Sequence, residues 1–202
     1  MSLDLIDKAI KVIDSHIKPT ETIFITSSFG YQSSLLFFIL EQMNLSVRCL
    51  FIKSPLSYGG IDKQRNYILR RFDIDLTQID RSDWLMDRLK GNDFMSLDEN
   101  ERRNICKELK TEPLKAFIKK NSSDIWISAI RKSQTKTRES AKLVQKTDYG
   151  ITKISPLLSW TIDDVQKVLR ENNLRINNEY LDLCKINESK ECGLHFDFLE
   201  TN

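Results

Sequence analysis

The chain of 202 residues has few cysteines and few of the common phosphate-binding signatures, and these absences narrow its class. Its four cysteines are Cys49, Cys106, Cys184 and Cys192, and no two form a CxxC pair. A zinc ribbon and a thioredoxin-type redox motif are thereby excluded. None of the six glycines falls in a GxGxxG or Walker arrangement. No apolar run reaches the roughly 18 residues of a membrane-spanning helix. The opening MSLDLIDKAIKVIDSHI lacks the basic start and apolar middle of a signal peptide and has the pattern of an amphipathic helix. The formal charge of +2 gives no argument for nucleic acid, although it is compatible with a local basic cleft. The expectation is a cytoplasmic protein with neither a membrane nor a nucleic-acid partner. A structural disulfide is not expected in a reducing compartment. Cys49, inside the apolar run SVRCLFI, is expected in the core. Cys184 and Cys192, with seven residues between them, are close enough in sequence to meet.

With 40% hydrophobic and 30% charged residues, the chain is that of an ordinary globular protein large enough for a real core. Apolar strand-type runs at 22–26, 46–52, 74–79 and 124–130 alternate with helical stretches at 3–17, 34–43, 61–72 and 82–120, the last interrupted at Gly91. A short strand is expected at 152–154, and a helix begins at the Thr161 cap. Pro113 is placed to start a new helix at its first position. Residues 173–202 carry no sustained periodicity. The pattern predicts a three-layer, Rossmann-like α/β domain over 1–172, with a mostly parallel sheet covered on both faces, followed by a flexible C-terminal tail over 173–202.

Two loops carry the chemistry. The first strand runs into Ser27-Ser28-Phe29-Gly30-Tyr31-Gln32-Ser33-Ser34 and then a helix. Backbone N–H groups, hydroxyls and a helix N-terminus suit a phosphate or sulfate there, while Ser33 or Ser34 capping the helix accounts for the same residues without a ligand. The fourth strand runs into Ile130-Arg131-Lys132-Ser133-Gln134-Thr135-Lys136-Thr137-Arg138, with four cations and no acid. A solvated face and an anion site both fit that run. Loops following parallel strands meet at one edge of the sheet, which favours an anionic ligand.

These segments, in this order, resemble the phosphoadenylyl-sulfate and adenylyl-sulfate reductases of the PP-loop superfamily. SSFGYQSSLL is similar to their modified PP-loop, Ile130–Gln134 with Arg138 to their GxRRxQ…R segment, and Cys106–Leu114 to their Cys…KVEPL segment. Lys153–Thr161 resembles KxxPLxxWT, and Glu191-Cys192-Gly193-Leu194-His195 matches their ECGLH tail. The resemblance implies that Cys192 attacks the sulfur of 3'-phosphoadenylyl sulfate to give an enzyme S-sulfocysteine, with His195 beside it. Thioredoxin or glutaredoxin would then release sulfite, a step of assimilatory sulfate reduction toward cysteine biosynthesis. It further implies that Ser27, Ser28, Phe29, Gly30, Gln32 and Ser33 bind the nucleotide, and that Lys110, Arg131, Lys132, Gln134 and Arg138 meet phosphate and sulfate oxygens. A homodimer is compatible with it.

The chain also departs from that family. The iron–sulfur members resemble CC…CxxC, whereas here Ile105 precedes Cys106 and the later CxxC is absent, so no cluster and no bound cofactor are expected. Lys53 stands where the family has an aspartate, Ala129 replaces a glycine and Lys132 an arginine. The arm before ECGLH is short. The alternatives are a cluster-free adenylyl-sulfate reductase, an ATP-using PP-loop sulfur or nucleotide transferase, and a degenerate nucleotide-binding module.

Overall fold

A computed structural model of the chain describes residues 2–185. Its centre is β1 (Ile23–Thr26), whose IFIT sequence is apolar enough to be covered on both sides. Around it the sheet runs β4 (Ile74–Asp80), β2 (Val47–Lys53), β1, β5 (Ile125–Ile127), β7 (Thr152–Ile154) and β6 (Val144–Lys146). All neighbours are parallel except the β6–β7 pair at one edge. The register sets Phe24 beside Arg48 and Trp126, and Ile25 beside Cys49 and Ile127.

Successive strand residues point to opposite faces, so each strand feeds two cores. On one face Ile25, Cys49, Ile127 and Ile154 pack with Ile13 of α1 (Ser2–Asp14), Leu36 and Ile39 of α2 (Ser33–Gln42), Ile68 of α3 (Ile61–Arg71) and Val168 of α6 (Ile162–Glu171). On the other, Phe24, Leu50 and Trp126 pack with Leu114, Phe117 and Ile118 of α5 (Glu99–Asn121). Each such large side chain contributes roughly 1.5–3 kcal/mol by burial. This is the expected three-layer α/β arrangement with helices on both faces. Cys49 lies in the core as expected, and burial raises its thiol pKa far above the ordinary range.

One local expectation is corrected. Pro113 does not start a helix; α5 runs through it. The Asp98–Glu101 capping box fixes the start of α5, and Leu109, Leu114 and Phe117 bury the turns on either side of the proline. The stretch from 82 is interrupted at Gly91 as expected, where α4 (Ser82–Leu89) ends on left-handed Lys90 and Gly91. Thr161 caps α6 as predicted, accepting from the Asp164 amide at 3.1 Å while Asp164 returns a bond to the Thr161 amide.

The stretch from 173 to 185 folds back over the domain. Ser34 donates to the Arg175 carbonyl at 2.7 Å, and Asn177 Nδ2 reaches the carbonyls of Phe29 and Gly59, both at 3.0 Å. Then β8 (Leu181–Asp182) pairs antiparallel with β3 (Ser57–Tyr58). That pairing brings Cys184 to Cys106 on α5, and the two form a disulfide with Cα atoms 5.7 Å apart. This bond corrects the expectations that no structural disulfide forms and that Cys184 is placed to meet Cys192; it forms because a two-residue ladder closes a 78-residue separation. A crosslink over a loop of that size removes about 4–5 kcal/mol of chain entropy from the unfolded state.

Candidate active site

The strand order reverses at β1, with β2 and β4 to one side and β5 and β7 to the other, and a cavity of about 550 Å³ opens at the carboxyl ends of these strands. Ser27, Ser28, Gly30, Gln32 and Ser33 from the first loop line it, with Arg131, Gln134 and Arg138 from the second and Lys110 from α5. Leu36, Phe37, Phe51 and Ile162 supply an apolar wall. A cavity with one apolar side and one cationic, N–H-rich side fits a nucleotide, whose base and phosphates have those opposite demands.

The first loop is held from beneath. Ser27 Oγ accepts from the Phe29 amide at 3.1 Å, and Phe29 sits in the left-handed region at φ 51. Its ring is fully buried against Phe37 and Phe51, 6.4 and 5.0 Å between centroids. Phe29 therefore anchors the loop and does not line the cavity. The serines do not cap α2. Its N-cap residue is Gln32, without a side-chain capping bond, and Ser34 Oγ donates to Arg175 and accepts from Gln64 Nε2. The turn is shaped by contacts other than helix capping.

Gln32 joins the two loops. Its Nε2 donates to the Ala129 carbonyl at 2.6 Å, and its Oε1 accepts from Arg131 Nε at 3.0 Å. Gln134 Oε1 accepts from the Arg131 amide at 2.9 Å and from the Arg138 guanidinium. Arg131 and Arg138 are both buried, which the solvated-face reading does not allow. Burial, and then the nearby Arg138 charge, push the Arg131 pKa below its ordinary value, with Tyr31 opposing. Arginine still keeps its proton at neutral pH. Among the described residues no carboxylate forms an ion pair with Arg131. Lys132 and Lys136 are exposed, and neither lines the cavity.

Lys110 meets the cavity with its ammonium 2.8 Å from Asp182 Oδ2, which also accepts from the Tyr180 hydroxyl at 3.2 Å. Sequence reasoning missed Asp182, Tyr180, Tyr31, Ser57 and Gln166, all of which line the cavity. No motif marks Asp182 and Tyr180, because they arrive through a two-residue strand without periodicity. Lys53 lies outside the cavity and pairs with Asp80, its register partner on β4, at 2.9 Å. Trp160 is part of the core. Cys192 and His195 lie outside the described residues. Among the described residues no helix is long and apolar enough to cross a membrane, and no group of three or more His, Cys, Asp or Glu side chains could hold a metal ion.

Comparison with known proteins matches residues 22–183 to the phosphoadenosine phosphosulfate reductase domain. Adenosine 5'-phosphosulfate reductase 2 of Bacillus subtilis is 24% identical over 200 residues, covering 87% of this chain and 84% of the relative. The adenosine 5'-phosphosulfate reductase of Mycolicibacterium smegmatis is 24% identical over 149 residues, and the match covers 72% of this chain and 61% of that protein. Among solved structures, the phosphoadenylyl-sulfate reductase of Candida auris, a phosphate complex, superposes with a TM-score of 0.68 at 17% identity, covering 84% of this chain and 81% of the other. The NMN synthetase of Francisella tularensis superposes at 0.60 with 15% identity over 86% and 70%. The structural matches establish the shared fold, and the family match spans the strands, both loops and the β8 segment: the chain belongs to the phosphoadenosine phosphosulfate reductase domain family.

Proposed function

We propose that the chain reduces 3'-phosphoadenylyl sulfate to sulfite and adenosine 3',5'-bisphosphate. The observation that carries this reading is the pair of buried guanidiniums, Arg131 and Arg138, on the same cavity wall system as the Ser27–Ser33 loop. Two buried cations at the edge of an apolar cavity are stabilised by an anionic ligand that brings its own hydrophobic group.

In the proposed reaction the Cys192 thiolate attacks the sulfate sulfur. An Sγ–S bond forms, the S–O bond to the phosphate breaks, and the nucleotide leaves with the electron pair. Arg131 and Arg138 reduce the repulsion between thiolate and anionic sulfate, and Gln32 and Gln134 hold Arg131 in place. A dithiol of the thioredoxin or glutaredoxin class then attacks Cys192 Sγ and expels sulfite. Its second thiol resolves the mixed disulfide, so that two electrons pass from the dithiol to sulfur. No step runs through an iron–sulfur cluster. Such a cluster takes three or four thiolates, whereas Cys106 and Cys184 are bonded to each other and Cys49 is in the core.

A second reading, in which the substrate is the unphosphorylated adenylyl sulfate, is favoured by the names of the sequence relatives. Incubation with labelled nucleotide in the absence of reductant tests the chemistry. Label retained on wild type and absent from Cys192→Ser is expected, and equal labelling of both overturns it. Sulfite release measured with each nucleotide separates the two substrates. Nucleotide binding without label transfer or sulfite would identify a binding module.

A further inference from the structure

The proposed reaction makes no use of the Cys106–Cys184 pair, yet its position couples it to the cavity. Cys106 lies one helical turn before Lys110 on α5, and Cys184 lies two residues after Asp182. The disulfide and the Lys110–Asp182 ion pair are therefore adjacent links between the same two segments. Other contacts of that segment include two register pairs with β3 and a bond from the Leu183 amide to the Leu56 carbonyl at 2.8 Å. Ladders this short open locally at low free-energy cost, which admits a reductant to a bond that is otherwise buried. The sulfurs sit among Leu56, Leu85, Phe94, Ile105 and Leu109. That apolar setting accepts two thiols as readily as a disulfide, since a free cysteine packs as a small hydrophobic group.

We propose that Cys106 and Cys184 form a dithiol–disulfide redox site that tethers the 181–185 segment to α5. The co-reactant is a dithiol. Its thiolate bonds to one sulfur of the pair, the other leaves and takes up a proton, and the second thiol of the reductant completes a two-electron exchange that leaves both cysteines reduced. Closed, the bond holds Asp182 on Lys110 and Tyr180 over Gly30. Open, it leaves the segment to the Lys110–Asp182 ion pair and the short β3–β8 ladder.

The functional consequence rests on the reading of Cys192 as nucleophile. Cys192 is eight residues beyond Cys184 and fifteen beyond Asn177. The tether therefore fixes Tyr180 and Asp182, which line the cavity, in the segment that leads along the chain to Cys192.

The test uses the full chain carrying Cys192→Ser, which leaves the core residue Cys49 as the one other thiol and removes the proposed chemistry. After equilibration with oxidised or reduced dithiothreitol, peptide mass mapping is expected to find Cys106 linked to Cys184 only in the oxidised sample. Hydrogen exchange of the Leu183 and Cys184 amides is expected to be at least tenfold faster in the reduced sample, with α2 and α6 unchanged. The Cys106→Ser/Cys184→Ser variant should reproduce the reduced pattern, and the reduced parent supplies the comparison should that variant not fold. No crosslink on oxidation, a different pairing, or equal exchange in the two states overturns the proposal. Neither readout involves catalysis, so a failure of the tether is distinguishable from a failure of the proposed reaction.

Discussion

Lys110 and Asp182 are 72 residues apart in sequence and meet at 2.8 Å inside the cavity wall, with both side chains almost fully buried. The Asp182 carboxylate also accepts from the Tyr180 hydroxyl and the Cys184 amide. Removing one member of a buried pair leaves an uncompensated charge, at a cost of about 3–5 kcal/mol. Asp182→Ala is expected to lose stability on that scale in urea unfolding. Lys110→Met/Asp182→Leu, which removes both charges and fills the space, should lose much less. Equal losses in the two variants would show that the pairing itself matters little.

Arg131 presents the opposite balance. Its described hydrogen-bond partners are neutral, and Arg138 adds a like charge nearby. Arg131→Met is therefore expected to leave the unfolding temperature of the free protein unchanged or higher. The same change should weaken binding of adenosine 3',5'-bisphosphate by about 10- to 100-fold, the equivalent of a lost charge-assisted hydrogen bond. Arg131→Lys should fall between, because lysine keeps the charge without the planar fork that engages Gln32. Titration calorimetry alongside thermal unfolding checks both directions.

What could be read from sequence follows from how local the determinants are. Buried parallel strands are apolar runs, so β1, β2 and β5 stand out from their composition, the edge strand β4 is marked by its apolar–polar alternation, and the loops after β1 and β5 are located with them. The half-exposed edge strand β6 has three residues and no apolar run, so nothing marks it. Phe29 lies within the right motif, but its left-handed backbone turns the ring into the core, a direction that sequence does not encode. Arg131, Lys132, Lys136 and Arg138 form one basic run; only the two arginines are buried, because the 3-10 turns over 132–134 and 136–140 set which side chains face inward. The Lys110–Asp182 and Cys106–Cys184 pairs depend on β8 docking against β3, a tertiary event without a local signature.

Asp80 offers a test by pH. Bonds from the Ser82 hydroxyl, from Lys53 and from the Ser82 amide lower its pKa from 3.8 to about 2. A carboxylate whose pKa is depressed on folding stabilises the native state above its unfolded value, and that contribution disappears as pH falls through the folded value. The Lys53–Asp80 pair is nearly half exposed, so solvent screening holds its worth below about 1 kcal/mol. Asp80→Asn is expected to be slightly less stable than wild type at pH 7, with the gap closing between about pH 4 and pH 2. A gap that persists at pH 2 would mean that the effect does not come from the charge.

Gly30 and Gly59 approach the same segment and should respond differently to a methyl group. At Gly59 the backbone is left-handed at φ +82, and an added Cβ would lie 1.7 Å from the Glu179 carbonyl oxygen. Backbone cannot yield as a side chain does, and an L-residue there adds its own conformational penalty of about 1–2 kcal/mol. Gly59→Ala is therefore expected to lose more than about 2 kcal/mol and to displace Tyr180 and β8 with Glu179. At Gly30 an added Cβ would meet the Tyr180 ring at 3.1–3.3 Å, and no backbone strain is involved. An aromatic ring can shift by a few tenths of an ångström, so Gly30→Ala should change stability by less than about 1 kcal/mol, the range of substitutions that create neither a cavity nor an unpaired polar group. Because Gly30 and Tyr180 both line the cavity, that shift should appear as weaker nucleotide binding. Paired denaturation and calorimetry on the two variants separate the outcomes. A Gly30→Ala variant with unaltered nucleotide affinity would show that Tyr180 does not shape the bound state.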